Sequence, residues 1–238
     1  MSSFFNRIAR HFSSSSSIGV TSAGGGGSNS TLPADTELAT VAAGCFWGVE
    51  HIYRKHFKDQ GLIDARVGYT GGDQSNPSYS RVCGGGTGHA EALQITFDPS
   101  KVSYRTLIEF LYRIHDPTTL NRQGGDVGTQ YRSGIFYHSE EQKRIAEDVT
   151  RMANQNWWGN KISTAIIGAS DWWDAEKYHQ KYLEHNPGGY ECPLHYLRPF
   201  KLPEGYPAEE DSSQSNGSKP AAAAATAAAA AEEPKAEL

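Results

Sequence analysis

The sequence has no long apolar run and no excess of basic residues, and each absence excludes a class of protein. No stretch approaches the roughly 20 apolar residues that cross a bilayer, so an integral membrane protein is excluded. The 22 Lys and Arg residues are outnumbered by 27 Asp and Glu residues, for a formal net charge of −5, which argues against a nucleic-acid binder. A hydrophobic fraction of 37% is typical of a soluble globular protein.

Cysteine is also scarce, because the chain has only Cys45, Cys83 and Cys192. Three widely spaced cysteines make a poor disulfide framework, and without a CxxC pair the sequence offers no zinc site. We therefore expect no metal and no organic cofactor. Without regard to their neighbours, the three cysteines can be interpreted either as small buried hydrophobic residues or as reactive thiols.

Composition divides the chain into three parts. Residues 1–32 are rich in Ser and Gly and predict a flexible segment, residues 33–206 predict one domain, and residues 207–238 predict a solvated Ala-rich tail. The start carries Arg7 and Arg10 among aromatic residues and lacks acids, a pattern typical of either a mitochondrial transit peptide or an ordinary tail. The expected location is therefore cytoplasmic, mitochondrial or both.

Within the domain, segments with strand-like and helix-like periodicity alternate, which predicts an α/β or α+β fold. The predicted strands are ELATVAA, LIDARVGYT, EALQITFD, SGIFYH and KISTAIIGAS, and the predicted helices are FWGVEHIYRKHF, YRTLIEFLYRIH (with Ser103 as N-cap) and EEQKRIAEDVTRMANQ. Three long Gly-rich segments between them carry Tyr, Asp, Glu, His and Cys residues. Loops of this length with such residues favour a functional role.

Cys45 stands where the first predicted strand passes into the first predicted helix. Exposed amides and the helix dipole favour an anion at that position, so we expect the thiol pKa to be depressed. Phe46 and Trp47 follow at once. They predict either an apolar pocket for a small group such as a methyl, or core residues that pack the helix on the sheet.

Several motifs around these residues resemble, in order and context, the A-type methionine sulfoxide reductase family. They are GCFWGVE (44–50), YTGG (69–72), NPSY (76–79), GTGHAEA (86–92), GGDVGTQYRSGIF (124–136), HQKYLE (179–184) and NPGGYECPLHYLRP (186–199). The resemblance covers residues 35–200 and leaves out both ends of the chain. With it, the expected fold is α+β: a two-layer ferredoxin-like sandwich with a mixed sheet and long functional loops.

The resemblance implies reduction of methionine S-sulfoxide, free or in proteins, to methionine. Cys45 would attack the sulfur and become a sulfenic acid. Glu91 would donate the proton to the departing oxygen, which requires a carboxyl whose pKa is raised by burial in a dry pocket. Specificity for the S epimer is expected because each sulfoxide epimer has its own enzyme class.

The remaining site residues also follow from the resemblance. The hydroxyls of Tyr79 and Tyr131 would bind the sulfoxide oxygen, and Asp126 would organise the substrate and water. On sequence alone the tyrosines are equally surface or packing residues and Asp126 a turn former. Phe46 and Trp47 would hold the substrate methyl.

For the second half of the cycle, the resemblance makes Cys192 the resolving cysteine. It would close a disulfide with Cys45 that thioredoxin then reduces, and its Gly/Pro-rich loop predicts the mobility needed. Cys83 and His89 are expected to be structural. A monomer without nucleic-acid or membrane partners is the default.

Two other functions stay open at this point. A Cys-His-acid hydrolase would use Cys45, His89 and Asp126 and would give Cys192 no role. A non-catalytic domain that binds oxidised proteins would tolerate Cys45→Ser.

Overall fold

The computed structural model of the protein describes residues 35–207. The predictions for residues 1–32 and for the Ala-rich tail lie outside the described residues, apart from residue 207. The strands are β1 (Glu37–Ala43), β2 (Leu62–Thr70), β3 (Ala90–Phe97), β4 (Arg122–Gln123), β5 (Asp126–Val127), β6 (Ser133–Tyr137), β7 (Ala165–Gly168) and β8 (Trp173–Asp174). The helices are α1 (Phe46–Phe57), α2 (Tyr79–Cys83), α3 (Tyr104–Ile114), α4 (Glu140–Asn156) and α5 (Tyr182–His185), with a 3-10 turn at Thr129–Tyr131.

Six strands form one mixed sheet in the order β7-β6-β1-β3-β2-β8. The pairs β1–β3, β1–β6 and β2–β3 are antiparallel, whereas β6–β7 is parallel. Helices α1, α3 and α4 pack with this sheet, so the predicted α+β class with a mixed sheet is confirmed. The finer description as a ferredoxin-like sandwich stays a prediction.

The main core lies between the sheet and its helices. Strand residues such as Val41, Val67 and Ile95 face helix residues such as Val49 and Leu107, and all of them are essentially inaccessible to solvent. Residues three or four apart on a helix lie on the same face. Apolar residues that recur at this spacing in the sequence therefore predicted the helices that pack on the sheet. The Ser103 hydroxyl accepts the Thr106 N–H at 3.1 Å, as expected of an N-cap.

The antiparallel pairing brings four chain segments to one end of the sheet. There β1 and β2 end while β3 and β6 begin, as the pairs Tyr69↔Glu91 and Ala43↔Ser133 show. Helix α2 follows β2 in the chain, and the small β4–β5 hairpin precedes β6. The loops at this end carry most of the residues that the sequence predicts for the site.

Candidate active site

Cys45 lies in the turn between β1 and α1, at the N-cap of the helix. The turn depends on Gly44, whose φ of +91° is costly for a residue with a side chain and whose Cβ would lie 2.5 Å from Gln123 Cβ. The Cys45 side chain is 7% exposed and is not in a disulfide. The sequence therefore folds so that a free thiol faces the first amides of α1.

The surroundings of Cys45 act on its pKa in opposite directions. Burial is the largest effect and raises the pKa, the Glu91 carboxylate raises it further, and hydrogen bonds from the Trp47 and Gly48 N–H groups lower it. The net pKa lies well above the ordinary value. The prediction of a depressed pKa is thus wrong: the helix amides lower the pKa as expected, but burial outweighs them.

Glu91 lies beside the nucleophile, in the second position of β3. It is 1% exposed, and its Oε2 accepts the Phe46 N–H at 3.1 Å. Burial raises the pKa of Glu91 to about 8, against the lowering effect of that hydrogen bond, and Asp126 adds to the rise. The expected burial and raised pKa are confirmed, and at neutral pH this carboxyl holds its proton.

Two half-buried tyrosines approach the same space from different loops. Tyr79 begins α2 and Tyr131 ends the 3-10 turn. Burial is the main cause that raises the pKa of each tyrosine, and the Glu91 charge adds to both. Both hydroxyls therefore stay protonated and available as donors.

Cys83, expected to be structural, lies at the edge of this space. Its half-buried thiol lies one helical turn from Tyr79; burial raises the pKa of this thiol, and the Tyr79 hydroxyl lowers it. Cys83 thus lies beside a predicted site residue.

Asp126 is held in the β4–β5 hairpin, opposite Gln123. The Tyr190 hydroxyl lies 3.0 Å from each of its carboxylate oxygens. The Asp126 charge also contributes to the raised pKa values of Cys45 and Glu91. This carboxylate therefore faces the nucleophile and the C-terminal segment together.

Phe46 and Trp47 differ in their surroundings. Phe46 belongs to the core, with its ring 5.2 Å from His179, whereas Trp47 is half-buried. The Trp47 Nε1–H donates to His179 Nδ1 at 2.9 Å, and its ring stacks on Tyr182 at 3.8 Å. Since Tyr79 lies 4.5 Å from His179, these rings form an aromatic wall next to Cys45.

Two carboxylates that the sequence did not single out, the partly exposed Glu176 and the buried Glu50, fix this wall. Glu176 accepts the Tyr69 hydroxyl at 2.8 Å and the Tyr79 N–H at 2.9 Å, so it joins α2 to β2. Glu50 accepts the Lys181 N–H at 2.7 Å and pairs with Arg54. The spacing of four between Glu50 and Arg54 is a signal in the sequence, but nothing there marks Glu176.

Cys192 is buried, with 1% exposed, rather than free in a loose loop. Its Sγ lies 3.8 Å from the carbonyl oxygen of Gln123, and burial is the first cause that raises its pKa. The Asp126 charge also raises the Cys192 pKa, whereas the Tyr190 hydroxyl lowers it. The Asp126 charge therefore acts on both predicted redox cysteines.

His89 does not join this group. It is 2% exposed, and burial lowers its pKa. Its ring packs against Gly72: a Cβ added to that glycine would lie 2.3 Å from His89 Nδ1. Within residues 35–207, no hydrogen bond connects His89 with Cys45 or Asp126. The geometry required by the hydrolase alternative is absent from this part of the chain.

Two further features are absent from the described residues. Between residues 35 and 207, no group of three or more His, Cys, Asp or Glu side chains could hold a metal ion. No helix in the same range is both long and apolar enough to cross a membrane.

Comparison with known proteins gives a consistent result. The sequence model of the peptide methionine sulfoxide reductase family matches residues 37–201. The chain is 49% identical over 176 residues to the peptide methionine sulfoxide reductase of Saccharomyces cerevisiae, which covers 70% of this chain and 92% of that protein. It is 54% identical over 152 residues to MsrA of Methanothermobacter thermautotrophicus, which covers 63% of this chain and 88% of that protein.

Solved structures agree with the sequences. The reduced form of Mxr1 from Saccharomyces cerevisiae superposes with a TM-score of 0.68 at 48% identity, over 70% of this chain and 94% of that one. Methionine sulfoxide reductase A of Corynebacterium diphtheriae gives a TM-score of 0.62 at 33% identity, over 68% of this chain and 79% of that one.

Proposed function

The chain belongs to the peptide methionine sulfoxide reductase family, and on that basis we propose that it reduces the S epimer of methionine sulfoxide, free or in proteins, with Cys45 as nucleophile. One observation carries the proposal. The buried Glu91 carboxyl, with a pKa of about 8, accepts the N–H of Phe46, the residue that follows the Cys45 thiol at the start of α1. A nucleophile and a proton donor are what sulfoxide reduction requires.

The first step transfers oxygen from substrate sulfur to enzyme sulfur. Cys45 Sγ attacks the sulfoxide sulfur while Glu91 gives its proton to the oxygen, and the thiol proton returns to the Glu91 carboxylate. The bond between the two sulfurs and the substrate S–O bond then break as the hydroxyl passes to Cys45 Sγ, so a Cys45 sulfenic acid forms and the sulfide, methionine, leaves. Cys45 loses the two electrons that the substrate gains. Because both pKa values are raised, Cys45 and Glu91 enter this step in their neutral forms.

The surrounding side chains position the sulfoxide. The protonated hydroxyls of Tyr79 and Tyr131 donate hydrogen bonds to its oxygen as negative charge develops there. Phe46 and Trp47 enclose the methyl group, and the bond to His179 holds the indole in place. Asp126 orders the polar side of the site through Tyr190.

The second step regenerates the site through the cysteine pair. Cys192 attacks Cys45, a disulfide forms, and the sulfenic oxygen leaves as water. Since Cys192 is the only cysteine in the C-terminal part of the sequence, the Cys45–Cys192 disulfide is itself the bond that thioredoxin reduces.

A panel of cysteine variants tests this sequence of steps. Cys45→Ser is expected to abolish methionine formation with either dithiothreitol or thioredoxin. Cys192→Ser is expected to keep turnover with dithiothreitol, which reduces a sulfenic acid directly, and to lose thioredoxin-supported turnover by about tenfold or more. Cys83→Ser, which keeps a hydrogen-bonding group beside Tyr79, serves as the matched control.

The panel also separates the alternatives. Undiminished thioredoxin-dependent turnover in Cys192→Ser would contradict the assignment of the resolving cysteine. Full activity in Cys45→Ser would contradict the proposal as a whole and favour a non-catalytic role.

A further inference from the structure

We propose that His195 is a positioning residue for the second step: it docks the turn carrying Cys192 onto the strand end that carries Cys45. This inference rests on the proposed function and adds a residue to it. The turn spans residues 192–195, closed by the hydrogen bond from the His195 N–H to the Cys192 carbonyl oxygen at 2.9 Å. His195 and Cys192 therefore belong to the same turn.

The first contact is a hydrogen bond to the backbone of β1. His195 Nε2 lies 2.7 Å from the Ala43 carbonyl oxygen, and the side chain is 5% exposed. A carbonyl oxygen only accepts, so Nε2 carries the ring proton. Ala43 precedes Cys45 by two residues, so this bond joins the resolving turn to the segment that presents the nucleophile.

The second contact is a steric fit against α1. A Cβ at Gly48 would lie 2.3 Å from His195 Nδ1, closer than any side chain could come. Glycine at this position therefore leaves the space in the first turn of α1 that the imidazole fills. Nδ1 has no hydrogen-bond partner among residues 35–207, and burial lowers the pKa of His195, so the ring stays neutral and presents a bare nitrogen to Gly48.

The other side of Cys192 is also anchored. Tyr190 bonds Asp126, and the Cys192 thiol approaches the Gln123 carbonyl of the same hairpin. Beyond the turn, the Arg198 N–H donates to the Arg113 carbonyl oxygen at 2.9 Å. Cys192 is therefore held on both sides of its turn instead of being carried by a loose chain, and these contacts together fix where its thiol lies relative to β1.

The bond changes of the assisted step balance within the protein. The Cys192 sulfur forms a bond to the Cys45 sulfur, the S–O bond of the sulfenic acid breaks, and the oxygen leaves as water with the Cys192 proton. His195 gains and loses no proton in this account. Its role is to hold the turn that carries Cys192 against the end of β1.

The test is a single turnover without added reductant. Three quantities are measured in the same samples: the methionine released, the sulfenic acid trapped by dimedone, and the loss of free thiols. His195→Leu fills the space but cannot bond Ala43, whereas His195→Gln places an amide N–H near the position of Nε2. We expect disulfide formation to slow at least tenfold in His195→Leu, with trapped sulfenic acid rising, and to recover to within threefold of wild type in His195→Gln. Methionine release, measured in the same samples, is the internal reference.

A second pair of variants keeps the test decisive if His195→Leu folds poorly. Gly48→Ala is expected to displace the ring and slow disulfide formation relative to methionine release, whereas Gly188→Ala, whose Cβ would meet nothing within 4 Å, is not. A wild-type ratio of the two rates in both His195→Leu and Gly48→Ala would overturn the role of His195. Absence of methionine release in the wild type would instead overturn the proposed function.

Discussion

At the scale of single residues, the site holds two acidic groups whose protons are both retained by burial. Cys45 and Glu91 each have a raised pKa, and burial is the largest cause for both. Each also raises the cost of ionising the other, because two negative charges would share one dry space. Cys45 and Glu91 are therefore both neutral and protonated at physiological pH.

This protonation predicts how activity depends on pH. The pH profile of kcat/KM reports the groups of the free enzyme, and Glu91 must enter the reaction with its proton. We expect kcat/KM to fall as pH rises through about 8, the pKa of Glu91. Glu91→Gln should lower kcat/KM by about 100-fold or more and abolish this alkaline limb. A wild-type profile that stays flat to pH 9.5 would contradict the role of Glu91.

The same carboxyl predicts a gain of stability when it is replaced. Folding raises the Glu91 pKa from 4.5 to about 8, so between these values the folded protein keeps a proton that the unfolded chain releases. The contribution of Glu91 to stability is therefore fully present below pH 4.5 and is lost as pH rises to 8. We expect the Tm of Glu91→Gln to match wild type near pH 4.5 and to exceed it increasingly up to pH 8, as measured by calorimetry. A constant difference in Tm across this range would show that Glu91 is not protonated in the folded protein.

At the scale of elements, the site depends on how the strand ends meet. The antiparallel register puts the end of β1 beside the start of β3 and of β6, so Cys45, Glu91 and Tyr131 converge although they are far apart in the chain. Periodicity predicted β1, α1, β2 and the later long elements, because each buries a regular face. Periodicity does not indicate which strands pair with each other, so it could not show that these loops lie at one end of the sheet.

The short elements escaped the sequence for a physical reason. The elements α2, β4, β5, β8 and α5 each span five residues or fewer, too few for an apolar period to appear. KISTAIIGAS was predicted as one strand, but only Ala165–Gly168 pair with β6. These short elements carry Tyr79 and Asp126, which were named as site residues through motif resemblance rather than through periodicity.

The turn between β1 and α1 predicts the effect of a small substitution. Gly44→Ala would place a side chain on a residue with a left-handed backbone conformation and push its Cβ against Gln123. The Gln123 side-chain amide is itself fixed, because it hydrogen-bonds both the N–H and the carbonyl oxygen of Asp116. Such strain costs about 1–3 kcal/mol, so we expect Tm to fall by about 5 °C together with activity. Gly86→Ala, where the added Cβ would meet nothing within 4 Å, is the matched control. Equal Tm values for the two variants would contradict this account of the turn.

At the scale of the whole molecule, the family match at residues 37–201 coincides closely with the described residues 35–207. The sequence predicted the class and the membership of the site through its motifs. The predictions of two physical properties were wrong. The Cys45 thiol has a raised rather than a depressed pKa, and Cys192 is buried and anchored where composition predicted a mobile loop, because burial is a property of the folded whole.

The roles of the two ends of the chain stay predictions. The acid-free start remains typical of either a transit peptide or an ordinary tail, and the cytoplasmic or mitochondrial location depends on which of these is correct. Monomeric behaviour in solution likewise stays a prediction.

The central claim is tested most directly by supplying separated S and R epimers of dabsylated methionine sulfoxide with dithiothreitol to wild type and Cys45→Ser. The account predicts turnover of the S epimer alone, and its loss in the variant. Turnover restricted to the R epimer, or equal turnover in Cys45→Ser, would contradict it.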